Sequence, residues 1–225
     1  MKTPITTLVL LIAAATGMQA ADGVTVKDLR LGLMSMPADV STEWTIDDGG
    51  GSVSDTYDRE TDGRSRVSLG MVGTVGPAAP AALLYGIGVA FETAEFSGYD
   101  DSWGEEISQS WAGFIINGQL GVAFAVNDMF HVEAAGVLGL GAGAVEITDV
   151  SGLEFGTASA AILEYGLRLG GYFTVQRLQL GLEVGYMNTS YMGAEWEDAN
   201  DPSFTYAEDA EFSGTFVGLT LGFRV

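Results

Sequence analysis

Cysteine is absent from these 225 residues, so neither a disulfide framework nor a thiolate nucleophile is open to the chain. Bases are scarce. Nine Lys and Arg stand against 30 Asp and Glu, and a formal net charge of −21 would be repelled by a phosphate backbone, which excludes nucleic acid as a partner. There is one histidine, His131, too few imidazoles for a His-rich zinc centre. Long apolar runs are missing as well: after the first residues nothing approaches the ~20 apolar residues that a membrane helix needs. Glycine, by contrast, is abundant at 32 residues.

The chain begins MKTPITTLVLLIAAATGMQAAD, with Lys2, an apolar run around Leu8 to Ala15 and then small residues. That order is the one a secretory signal peptide has. Residues 1–20 are assigned to it, and 21–225 to one exported domain without a helical anchor.

The chain ends on TFVGLTLGFRV, in which Val217, Leu219, Leu221, Phe223 and Val225 share one face of an extended strand. Seven earlier segments repeat this alternation. Their apolar rows begin with Leu29, Leu31, Leu33; Val67, Leu69, Met71; and Leu83, Tyr85, Ile87, Val89, Phe91. They continue with Phe114, Ile116, Leu120, Val122; Phe130, Val132, Leu138, Leu140; Leu163, Tyr165, Leu167, Leu169; and Leu178, Leu180, Leu182, Val184. The opposite faces are small or ionisable, as in Gly86, Gly88, Glu92 or Glu164, Gly166, Arg168, Gly170. A soluble barrel would show water a face dense in Lys, Glu, Thr and Ser. Apolar rows toward lipid around a narrow interior of small side chains and paired charges fit better.

The connections alternate long and short: residues 37–63, 95–107, 148–157 and 193–210 are the longer linkers, and 76–80, 127–128 and 176–177 the short turns. Transmembrane barrels place long loops outside and short turns in the periplasm. An open sheet would leave its edges unsatisfied in lipid, so the first strand must pair with the last. The expected fold is an all-β, eight-stranded, antiparallel up-and-down transmembrane barrel with both termini in the periplasm.

With its signal peptide, eight alternating strands, alternating loops and apolar final strand, the chain resembles the small outer-membrane barrels of the OmpA/OmpX type, over the whole mature length and without a peptidoglycan-binding domain. It departs from them at the end, where Phe223 is followed by Arg224 and Val225 instead of closing the chain. The resemblance implies the outer membrane of a Gram-negative-type cell, contact with outer-membrane lipids and lipopolysaccharide, and insertion by the barrel-assembly machinery.

Individual motifs are weaker. Gly139-Leu140-Gly141-Ala142-Gly143-Ala144 matches a dinucleotide fingerprint, but Val145, Glu146 and Ile147 continue as strand where that motif needs a helix. Asp58, Glu60, Asp62 and Gly63 resemble the first half of a calcium loop, and Leu69 stands where its bidentate Glu should be, which leaves them weak metal candidates. Of the 30 acids, 23 fall in residues 39–62, 95–106, 146–154 and 195–211, so nearly all the net charge lies on one rim, where divalent cations would associate weakly. Aromatic residues near strand ends, Phe124, Phe130, Phe173 and Phe223 on one side and Phe91, Trp111, Tyr186 and Tyr191 on the other, are expected to form two interfacial girdles.

His131 and Glu133 form an inward H-x-E pair with no nucleophile to complete an active site, so no catalytic residue and no cofactor is assigned. Counting up from the turns, Glu133, Arg168 and Glu183 lie at similar depth on neighbouring strands, with Arg30 opposite them. These four are expected to form an ion network that plugs the lumen. The function that follows is non-enzymatic, structural or surface-interacting; the alternatives are a narrow porin-like channel for ions or small solutes, a lipid-modifying enzyme and a soluble ligand-binding barrel.

Overall fold

The computed structural model describes residues 24–36, 39–47, 51–60, 63–75, 81–100, 105–149, 154–197 and 205–225. The proposed signal peptide lies outside them. The strands are β1 Val24–Met36, β2 Asp39–Asp47, β3 Ser52–Glu60, β4 Gly63–Val75, β5 Ala81–Asp100, β6 Glu105–Ala125, β7 Phe130–Asp149, β8 Glu154–Val175, β9 Leu178–Glu197 and β10 Thr205–Arg224. All pairings are antiparallel. β1, β4 and then β5 through β10 follow one another, and β10 returns to β1 from Asp28↔Arg224 to Ser35↔Val217, which closes an eight-stranded ring.

Residues 37–63 differ from the linker expected of them, because they carry the β2–β3 hairpin. β2 pairs with β10 in the register of β1: Ser35 faces Val217, and four residues further along each strand Asp39 faces Ser213. It thus resumes the line of β1 along β10. The hairpin escapes the apolar-row test because its residues are largely polar or acidic, as strand residues outside lipid are free to be. For the same reason β5 through β10 run to 20–22 residues, about twice the ~9–11 that cross a bilayer, and occupy part of each segment expected as a long linker.

Two of the three short turns, 127–128 and 176–177, sit at the other end, and 76–80 lies outside the described residues. Asn127 Oδ1 accepts from the backbone N–H groups of Met129 and Phe130 at 2.9 and 2.8 Å, and Gln176 takes φ 56° in the turn between β8 and β9. The Arg224 amide donates to the Arg177 carbonyl at 2.7 Å and ties the last strand to that turn.

Burial divides the strands by parity. Leu167 is 69% exposed and Leu140 65%, whereas Arg168 is 6% exposed and Glu164 fully buried. Exposed apolar rows around a charged interior invert a soluble barrel, and only lipid satisfies them. Leu167→Arg is therefore expected to cost about 2–4 kcal/mol of folding free energy, while Leu167→Phe stays near parent. Urea titration in lipid vesicles checks this, and an unchanged midpoint for the Arg variant contradicts the facing of β8.

Candidate functional site: the lumen

Alternation along β1, β7, β8 and β9 aims Arg30, Glu133, Arg168 and Glu183 into the lumen, and the structure brings all four together. Arg30 grips Glu133 with both terminal nitrogens at 2.7 Å. Arg168 divides its guanidinium between Glu133 Oε2 at 2.9 Å and Glu183 Oε1 at 2.8 Å. Three neighbours outside the expected set complete the cluster. Tyr172 accepts from Arg168 at 2.6 Å and donates to Glu183 at 2.5 Å, Thr220 donates to Glu183 at 2.8 Å, and Asp28 accepts from Arg30 at 3.2 Å. Arg30 also lies over the Tyr172 ring, 4.1 Å from its centroid. Glycines on the wall make room for this crossing: a methyl group at Gly181 or Gly170 would stand 2.5 or 2.7 Å from the Tyr172 ring.

A second ion cluster lies nearer the outer end. Arg64 donates to both oxygens of Glu92 at 3.0 Å and to the Thr189 hydroxyl. Arg66 holds Glu164 with two nitrogens and stands 3.5 Å from Glu92, which also accepts from the Tyr191 hydroxyl at 3.0 Å. Arg64 and Arg66 were legible as lumen residues, since they share the parity opposite to Val67, Leu69 and Met71. Tyr172, opposite in parity to Phe173, was legible in the same way.

Both clusters are electrically closed. Arg64 and Arg66 face Glu92 and Glu164; Arg30, Arg168 and Arg224 face Asp28, Glu133 and Glu183. Buried charge persists only when paired, and these groups are paired, although Asp28 Oδ1 and the Nε atoms of the five arginines have no hydrogen-bond partner among the described residues. A cavity of about 70 Å³ lies between the clusters, bordered by Arg30, Arg66 and Arg168.

Beyond the second cluster an apolar layer crosses the lumen, next to a buried Gln109 that donates to Glu208 at 3.1 Å and accepts from the Trp111 indole N–H at 3.2 Å. Trp111, Tyr191 and Phe212 pack edge to face, with ring centroids 5.2 to 6.0 Å apart, and Phe96, Ile115, Ile162 and Val145 fill the space around them. This corrects two members of the expected girdles. Trp111 and Tyr191 are buried inside the barrel, because both have the inward parity of their strands; Phe91, Tyr186, Phe124, Phe173 and Phe223 are exposed on the outside, and Phe130 is half-buried.

The weak calcium candidates are placed only in part. Asp58 and Glu60 lie in extended β3, paired with Ser41 and Asp39, whereas a calcium loop must coil around its ion; Asp62 lies outside the described residues. Among the described residues no group of three or more His, Cys, Asp or Glu is placed to hold a metal. The dinucleotide-like glycines lie within β7, where Gly139 and Gly143 face Ile115 and Tyr191 across the lumen. His131 stacks on Tyr172 at 5.1 Å and meets Glu133 at 3.2 Å, near the short turns.

A closed antiparallel barrel with an apolar outer belt and an ion-paired lumen defines the class: the chain is a transmembrane β-barrel of the outer-membrane type. No protein-family model matches its sequence, and no curated protein does. Solved structures do. The outer-membrane protease OmpT of Escherichia coli matches with a TM-score of 0.51 at 9% identity, over 93% of this chain and all of that one. The outer-membrane protein OprG of Pseudomonas aeruginosa matches at 0.43 and 14% identity, over 90% of this chain and 96% of that one. Ail, the attachment invasion locus protein of Yersinia pestis, matches at 0.35 and 12% identity, over 85% of this chain and 99% of that one. At these identities the likeness is one of fold.

Proposed function

We propose that the protein is a non-enzymatic outer-membrane barrel with a structural or surface-interacting role, presenting acidic strands and loops outside the cell and conducting nothing through its lumen. The carrying observation is the stack inside the barrel, where two charge-balanced ion clusters and the Trp111, Tyr191 and Phe212 layer follow one another along the axis. The reading against catalysis is supported by the place of the single histidine: His131 is held between Tyr172 and Glu133 near the short turns, far along the strands from the acidic rim. The concentration of 23 of the 30 acids in four stretches of the sequence, at the longer linkers, favours contact with anionic lipopolysaccharide through shared divalent cations, not directly.

The test is electrical. The purified protein in planar bilayers is expected to carry no steady single-channel current, and Arg168→Met is expected to remain silent because the second cluster and the apolar layer are untouched. A stable conductance in the parent protein overturns the reading in favour of a narrow channel for ions or small solutes.

A further inference from the structure

The periplasmic mouth of the lumen is a cup of about 310 Å³, closed at its inner end by the Arg30, Glu133 and Arg168 network and open beside the turn that carries Asn127 and Asp128. Its wall has two characters. One side is apolar, with Leu84, Val72 and small alanines from β4 to β6. The other carries Asp28, Asp128, Glu133 and His131 with a single guanidinium, Arg224; the two arginines that balance Glu133 stand behind it and do not line the cup. Asp28 and Glu133 are balanced within the lower cluster, and Asp128 adds one carboxylate beyond it at the mouth.

Among the described residues, two buried oxygens on this wall lack hydrogen-bond partners. Asp28 is 3% exposed and its Oδ2 accepts from Arg30 and Gln179, but Oδ1 accepts from nothing; Thr174, 5% exposed, has an unpartnered Oγ1. Arg224 Nε stands 3.5 Å from the same Asp28 Oδ1, an ion pair without a hydrogen bond, and its side chain is 42% exposed. Buried acceptors left unpaired are costly, so a donor reaching them gains more than it would in water.

We propose that this cup is a binding site for a small primary amine carrying a short apolar body, its ammonium group on Asp28 Oδ1 with Thr174 beside it and its chain against the Leu84 side. An organic cation fits better than a metal ion, since the described residues place no set of three metal ligands together and half of the wall is apolar. Arg224 is then an internal competitor. It occupies the edge of the ammonium position loosely, and an incoming amine must displace it toward solvent. The site is independent of what the outer strands contact.

The competition gives variants of opposite sign. With the protein in zwitterionic nanodiscs, n-butylammonium is expected to shift the amide resonances around Asp28 and Thr174 saturably, while 1-butanol, the neutral counterpart, does not. Asp28→Asn should weaken binding about tenfold, the loss of a charge-assisted hydrogen bond. Arg224→Gln should tighten it about threefold by removing the competing cation. Arg224 is half-exposed at the chain end, so that variant keeps the question open even if Asp28→Asn fails to fold. No saturable shift in the parent, equal binding of the alcohol, or weaker binding by Arg224→Gln overturns the proposal.

Discussion

Arg168→Met is expected to destabilise the folded barrel by about 3–5 kcal/mol, the range found when one partner of a buried ion pair is removed. The two carboxylates it leaves behind are unequal. Glu133 keeps both nitrogens of Arg30, whereas Glu183 keeps only the Tyr172 and Thr220 hydroxyls. Recovery should therefore come from adding Glu183→Gln to the Arg168→Met variant, and far less from adding Glu133→Gln, which would in addition loosen Arg30. Urea midpoints in lipid for the single and double variants measure this coupling. An unchanged midpoint for Arg168→Met means that its charge is hydrated in the folded barrel and the lower cluster is not a dry network.

Arg66→Met should have a comparable effect of about 3–5 kcal/mol in the upper cluster. Glu164 is fully buried, and among the described residues Arg66 alone lies within ion-pair distance of it. Arg64→Met should cost less, since Glu92 retains Tyr191 and the 3.5 Å approach of Arg66. The ordering of the two arginines in a chemical denaturation series is the measurement, with Glu164→Gln restoring part of the loss in the Arg66→Met variant. If Arg64→Met proves the more damaging, the division of carboxylates between the two arginines described above is wrong.

The ring itself was legible because lipid leaves one parity no choice. Leu138 and Leu140, or Leu180 and Leu182, stand out against their glycine neighbours, and two tight turns give β6 through β9 an origin from which depth can be counted. That count brought Arg168 level with Glu133 and Glu183. The β2–β3 hairpin was hidden because its residues are largely polar or acidic, and its inward face carries Thr42 beside Val40, so no apolar period marks it. Trp111 and Tyr191 lie near strand ends, yet parity decides their side; Trp111 falls in step with Gly113 and Ile115, both buried, and out of step with exposed Phe114 and Ile116. The upper cluster needed only the same parity rule applied to Arg64 and Arg66. What parity cannot supply is the division of hydrogen bonds, such as Tyr172 bridging Arg168 and Glu183, because that depends on how far each side chain reaches across the lumen.

The seam between β1 and β10 joins the two ends of the chain, with Asp28 opposite Arg224, and it is on this first strand that Arg30 finds Glu133, 103 positions away. Until the seam closes, Arg30 has no dry site to enter and the lumen-facing charges of every strand must stay hydrated. Dehydration of the lumen and closure of the ring are thus one event, late in assembly, and the ion pairs contribute little before it. Such late contacts govern how slowly a protein comes apart more than how quickly it forms. The ionic core is in that sense a latch: it holds the finished barrel shut on the timescale of unfolding, and it leaves the earlier steps of insertion to the apolar rows alone.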